Sequence, residues 1–193
     1  MFSEPQQLYV DINAPFAVKR FSDALYGYVK GFCGKSYRDI VILCIGTDRS
    51  AGDSLGPLVG YKLKSMKYDR VHVHGSLEDP VHAKNIRNTV DYIYQGYEKP
   101  LVIAVDACLG RVEHVGFISV ARGSIKPGSG INKVLPEVGD ISIIGIVNFS
   151  GPLDFFILQN TRLSVVMKMA DTIAVGLRLA MRKVNENSCI SLL

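Results

Sequence analysis

Two unbroken β-branched runs, IVILCIG (40–46) and LVIAVD (101–106), constrain this chain most. Neither alternates apolar with polar residues. A strand with one wet face shows that alternation, whereas a strand covered on both faces does not, and double coverage is the habit of parallel sheets. VGFISVA (115–121) and ISIIGIV (141–147) read as further strands, and VHVHG (71–75) as a short one with its histidines opposite its valines. Helix-period segments separate them. Phe21, Leu25, Tyr28 and Phe32 share a helical face that closes at Gly31 and Gly34. Leu55, Leu58, Val59, Leu63 and Met66 mark a second helix, and Ile86, Val90 and Ile93 stripe a third over 81–95. A long last helix runs from Leu163 to Val184, while residues 1–15 read as an irregular lead-in. Strands alternating with helices predict an α/β domain whose mainly parallel sheet carries helices on both faces.

Composition excludes several classes. A chain of 193 residues, 48% of them hydrophobic, fits one domain over 1–193 with a real core, not a disordered tail or a disulfide-stapled miniprotein. Lys and Arg number 22 against 18 Asp and Glu, and the net charge of +4 forms no dense basic block. No nucleic-acid partner is therefore expected. The longest apolar run, Ile40 to Ile45, falls far short of the roughly 20 residues that span a bilayer. The N-terminus, with Glu4 and Asp11, has no basic-then-apolar export pattern, so a cytoplasmic protein without membrane contact is expected. Cys33, Cys44, Cys108 and Cys189 are scattered and form no CxxC pair, which argues against a disulfide or a zinc site. The apolar stripe of the last helix is either core or half of a dimer face.

The chemistry concentrates beyond two strand ends, where ligands gather in such sheets. In IGTDRSAGDSLGP (45–57), Gly46 allows a sharp exit from the strand and Gly52 a turn barred to most residues. Asp53 precedes a helix and could simply cap it. The loop lacks both GxGxxG and GxxxxGK[ST], and its aspartates would repel a phosphate. Asp106 closes the other run, followed by the small residues Ala107, Cys108 and Gly110. If the two strands are neighbours, Asp53 and Asp106 face each other across one crevice. Two close carboxylates cannot both ionise cheaply and so share a proton; such a pair activates water and protonates a leaving group. Read from the residues alone, the pair could equally hold a divalent cation. His72 and His74 read as a polar outer face. His82 begins a helix and His114 flanks a strand, neither with a partner at metal-ligand spacing. Ser50, Ser54 and Ser129 lack the GxSxG elbow. Arg49 and Arg111 lie close to acids in sequence, fit either to bind a substrate carboxylate or to pair at the surface.

GTDRSAGDSLGP, VDACLGR and the later KPGSGINK (126–133) resemble, in order and spacing, the germination protease of endospore-forming bacteria. They are closer still to the YyaC group of sporulation proteins. The layout is more distantly similar to the hydrogenase-maturation endopeptidases. That resemblance implies a three-layer α/β/α sandwich around a mixed, mainly parallel sheet. It also implies a peptidase domain linked to sporulation, with Asp53 and Asp106 as the catalytic pair, no cofactor, and a peptide or small spore protein as partner in the forespore interior. Thr47, Asp48 and Arg49 would line the site. Gly128, Ser129, Gly130 and Asn132, in the Gly-rich loop, would hold an extended peptide. In the endopeptidases the same two acids recognise nickel with a later histidine. This chain has none after His114, and NFSGPLD (148–154) stands at that place. The alternative reading is a non-catalytic protein that keeps the fold and binds a peptide or protein partner, as a monomer or a homo-oligomer.

Overall fold

The computed structural model describes residues 7–32, 37–127 and 135–187. In chain order the elements are β1 (Gln7–Asp11), α1 (Ala17–Lys30), β2 (Asp39–Cys44), a 3-10 turn (Gly52–Ser54), α2 (Leu55–Leu63), β3 (Val71–His74) and α3 (Ile86–Gly96). They continue with β4 (Pro100–Gly110), a second 3-10 turn (Val112–His114), β5 (Phe117–Arg122), β6 (Ile141–Phe149), α4 (Asp154–Gln159) and α5 (Leu163–Glu186). The six strands form one sheet in the order β1-β5-β6-β4-β2-β3. β2 runs parallel to both β3 and β4, and β4 parallel to β6, while β5 is antiparallel to β6 and to β1.

Every residue of β2 is buried, as the absence of alternation requires. Successive side chains serve opposite faces. Ile40, Ile42, Leu101 and Ile103 pack beneath α1, α2 and α5, and Val41, Leu43, Val102 and Ala104 meet Ile86 and Ile93 of α3. The result is the three-layer α/β/α sandwich. The stripe of α5 belongs to its core: Val166, Ile173 and Leu177 are fully buried, and Gly176 lies against the Phe21 ring of α1.

Topology positions the crevice. From β2 the chain crosses through α2 to β3 on one side, then returns through α3 on the opposite face to β4 on the other side. The carboxyl ends of β2 and β4 therefore flank the switch point, the place where open α/β sheets bind ligands.

Four features depart from the sequence reading. The lead-in contains β1, a five-residue edge strand whose partner β5 lies over a hundred residues away, so no local signal announced it. The third helix begins at Ile86, and 81–85 instead form a bridge from Val81 to Ile45 and a turn closed by Asn85. β4 does not stop at Asp106 but continues to Gly110, because β6 runs beside it as far as Phe149. Gly52 has no left-handed backbone; it is small because a Cβ there would lie 2.8 Å from the Leu158 carbonyl oxygen. Among the described residues no helix is long and apolar enough to cross a membrane.

α2 reaches the strand ends through two glycines one turn apart. A Cβ at Gly56 would run into the Ile45 carbonyl, and one at Gly60 into the Gly75 carbonyl. Backbone cannot yield as a side-chain tip does. Gly56→Ala is expected to lower the unfolding free energy by about 1–3 kcal/mol, the usual cost of overpacking, in guanidinium denaturation.

Candidate functional site

The loop after β2 is pinned by main-chain bonds. Ile45 N–H donates to the Val105 carbonyl (2.7 Å), Gly46 N–H to Val81 (2.8 Å) and Thr47 N–H to the Asp53 carbonyl (2.9 Å). Gly46 has φ +140°, and any side chain there would collide with the returning Asp53 backbone. The loop thus folds back and presents Asp53 at the head of the 3-10 turn. Capping does not consume its carboxylate, since neither that turn nor α2 carries a side-chain cap bond. Ser54 tightens the turn by donating its hydroxyl to the Ala51 carbonyl (2.7 Å).

Asp106 is the first β4 residue beyond the pairing with β2, which ends at Cys44 and Val105. It is 7% exposed, and its Oδ1 accepts the N–H of Ala107 at 2.8 Å. Asp53 and Asp106 line one cavity of about 600 Å³ together with Thr47, Arg49, Ser50, Ala107, Cys108 and Leu109. The remaining wall comes from Ser150, Asp154, Phe155, Leu158 and Gln159. Thr47 and Arg49 therefore stand where the sequence reading put them. Asp48 does not: it is exposed on the loop and absent from the cavity wall. Gly128, Ser129, Gly130 and Asn132, like Cys33 and Cys189, lie outside the described residues.

Burial raises the Asp53 carboxyl to about 6, because a charge there has lost much of its water. The charge of His82 and the Thr47 amide pull the value back in smaller measure. The sequence pattern points to repulsion from a second acid; burial is what raises this carboxyl, and the groups acting on it besides are His82 and the Thr47 amide. His82 reaches the site because Val81 bridges Ile45, and its Nδ1 is buried with no hydrogen-bond partner. Local spacing could not reveal it, since its neighbour Asp53 is far behind it in sequence.

The other candidates have different work. Asp154 holds its own turn, accepting the Gly151 N–H (2.7 Å) and the Ser150 hydroxyl (3.2 Å). Burial, with the charge of Asp106, pushes the Cys108 thiol up to about 11, and burial alone lifts Cys44 to about 12. Both stay protonated at neutral pH and are poor nucleophiles. Cys108→Ala is accordingly expected to leave any hydrolytic rate within about threefold of wild type, read as kcat/KM, whereas a thiolate mechanism would lose all activity. His72 Nε2 lies 2.9 Å from Asp39 Oδ1, and His74 Nε2 lies 2.8 Å from the Tyr97 hydroxyl, both at the β3 edge away from the cavity. Among the described residues no group of three or more His, Cys, Asp or Glu could hold a metal ion.

The wall after β6 has no counterpart in the sequence pattern. NFSGPLD lacks the histidine, yet α4 begins at its last residue and supplies Phe155, Leu158 and Gln159. A six-residue helix with no buried side chain has no periodic stripe to reveal it.

Comparison with known proteins agrees with this architecture. The crystal structure of a NiFe hydrogenase maturation protease, HycI from Thermococcus kodakarensis KOD1, matches with a TM-score of 0.52, covering 80% of this chain and 97% of that one. At 19% identity the likeness is one of fold, and the chain has a protease-like fold. A relative in Bacillus subtilis (strain 168), called Uncharacterized protein YyaC, is 50% identical over 184 residues, 94% of this chain and 88% of its own length. Residues 9–176 match the family described as Protein of unknown function (DUF1256), and to that family the chain belongs.

Proposed function

We propose that this protein is a peptidase of the sporulating cell, hydrolysing peptide bonds with Asp53 and Asp106 inside the forespore cytoplasm. One observation carries the reading: two carboxylates, one from the 3-10 turn after β2 and one from β4, line the same cavity at the sheet's switch point, and the first has its pKa raised to about 6 by burial. A carboxylate tuned towards neutrality is both an effective base and a usable acid near pH 7. In this mechanism Asp53 takes a proton from water as its oxygen attacks the scissile carbonyl, and returns that proton to the leaving amine. Asp106, its Oδ1 fixed by the Ala107 N–H, orients the attacking water from the other side. The resemblance of the motifs around Asp53 and Asp106 to the germination protease supports a small spore protein as substrate, and in this reading Arg49, in the cavity wall, meets a substrate carboxylate.

The second reading is a binding module that keeps the fold without turnover. It is favoured by exposed apolar side chains on and before α4: Leu153 is 67% exposed, Phe155 67% and Phe156 61%. Exposed clusters of this kind mark interaction surfaces. The experiment incubates purified protein with small acid-soluble spore proteins and compares wild type with Asp53→Asn and Asp106→Asn by mass spectrometry. Cleavage by wild type alone supports the peptidase. Intact substrate with all three, combined with binding, supports the module.

A further inference from the structure

β4 outlasts its neighbour. β2 accompanies it only from Pro100 to Val105, whereas β6 stays beside it to Gly110. Among the described residues no strand pairs the β2-facing edge of Asp106–Gly110. The cavity wall then includes Asp106, Ala107, Cys108 and Leu109, four residues in succession. Strand side chains alternate between faces, so a cavity over one face touches every second residue. With β2 ending at Cys44, that run of four borders the edge β2 leaves open. Backbone direction agrees. The Val105 carbonyl points to β2, where it accepts the Ile45 N–H, and the Gly110 carbonyl points to β6, where it accepts the Ser150 N–H. By the two-residue period, Leu109 turns its N–H and carbonyl to the open edge and Ala107 its carbonyl, while the Ala107 N–H is already given to Asp106 Oδ1.

Phe155 and Leu158 of α4 wall the space together with Ser50 and Asp53, and Leu158 packs against Gly52 of the 3-10 turn. Four strand residues measure about 13 Å, and about 600 Å³ is room for a short segment. We infer that this edge receives one extended peptide segment as an added strand beside Ala107–Leu109, with a side chain of the segment against Phe155 and Leu158. A lone segment fits this cavity. The sheet edge of a second copy would carry helical layers on both faces, which α4 and the 47–53 loop obstruct. The inference rests on the reading above, and deepens it: strand addition lays a peptide main chain along the residues next to Asp106, where the two carboxylates act. Main-chain bonds supply affinity in such augmentation, and pockets for alternate side chains supply selection.

The test uses the full chain carrying Asp53→Asn, so that captured peptides stay intact. A phage-displayed library of random 12-residue peptides is panned against it, and enriched peptides are resynthesised with single backbone N-methyl groups at each position. Strand addition requires N-methylation to weaken binding at least tenfold at alternate positions and little at those between. It also requires at least tenfold slower hydrogen exchange at the Leu109 amide in the complex, and at least tenfold weaker binding to Leu109→Pro. The N-methyl scan needs no folded proline variant. Failure to enrich any peptide, or binding indifferent to N-methylation with unchanged Leu109 exchange, overturns the inference. So does Leu109 protection that grows with protein concentration in the absence of peptide, which would assign the edge to a second copy. Wild-type protein is then given the enriched peptides. Strand-like binding without cleavage leaves the inference standing and removes the peptidase; cleavage without the alternating pattern does the reverse.

Discussion

Asp53→Asn is expected to make this protein more stable, by about 3 kcal/mol at pH 8 and by almost nothing at pH 4. The buried carboxyl binds its proton with a pKa of about 6, against an ordinary value of 3.8. Between those values the folded state holds more proton than the unfolded chain, so stability falls as pH rises through this window. Above about pH 6 the full cost of a desolvated charge is present. A shift of about 2 units at roughly 1.4 kcal/mol each gives about 3 kcal/mol. Asparagine fills the same space without a charge, so its advantage is complete above pH 7 and fades as the pH falls to the ordinary value of 3.8, where the unfolded chain takes up the proton as well. Urea unfolding of both proteins at pH 4, 6 and 8 reads this directly. Equal stability at pH 8 would mean that water reaches Asp53 freely. A residue whose removal stabilises the fold is being kept at a cost, which is common for functional groups.

The second large effect is on activity. Asp53→Asn and Asp106→Asn are each expected to lower kcat/KM for a cleaved protein substrate by about 10²–10⁴-fold, the range associated with losing a positioned acid or base. The wild-type profile should rise through an apparent pKa near 6 as Asp53 becomes the base form. Loss of the proton from the general base, and not unfolding, must explain that limb; the stability change has the opposite sign over the same interval. A flat profile from pH 5 to 8 would remove Asp53 from the proton transfers.

Most of the scaffold was legible in the sequence because its central strands are unusually uniform. IVILCI and LVIAV have nothing polar to face water, so their double burial, their adjacency in a parallel sheet and the flanking helices follow from one pattern. That Asp53 and Asp106 line one crevice was legible for the same reason, since one lies in the loop after the first run and the other closes the second. The omissions share a cause as well. β1 depends on β5, His82 on a bridge between Val81 and Ile45, and the continuation of β4 on the length of β6. Each is decided by a distant partner and leaves no local period. α4 is too short and too exposed to show a stripe, although it walls the cavity. Burial of Asp53, which raises its carboxyl most, is also a tertiary quantity; the residues around it in sequence suggested a helix cap instead.

The account depends most on an acid withdrawn from water at the head of α2. Carbon-13 NMR titration of the side-chain carboxyl carbons, with the Asp53 signal identified by its absence in Asp53→Asn, measures that state without any substrate. A midpoint near 6 is the result this structure requires. A midpoint close to the ordinary 3.8 would contradict it, leaving the protease-like fold without a carboxyl primed for hydrolysis.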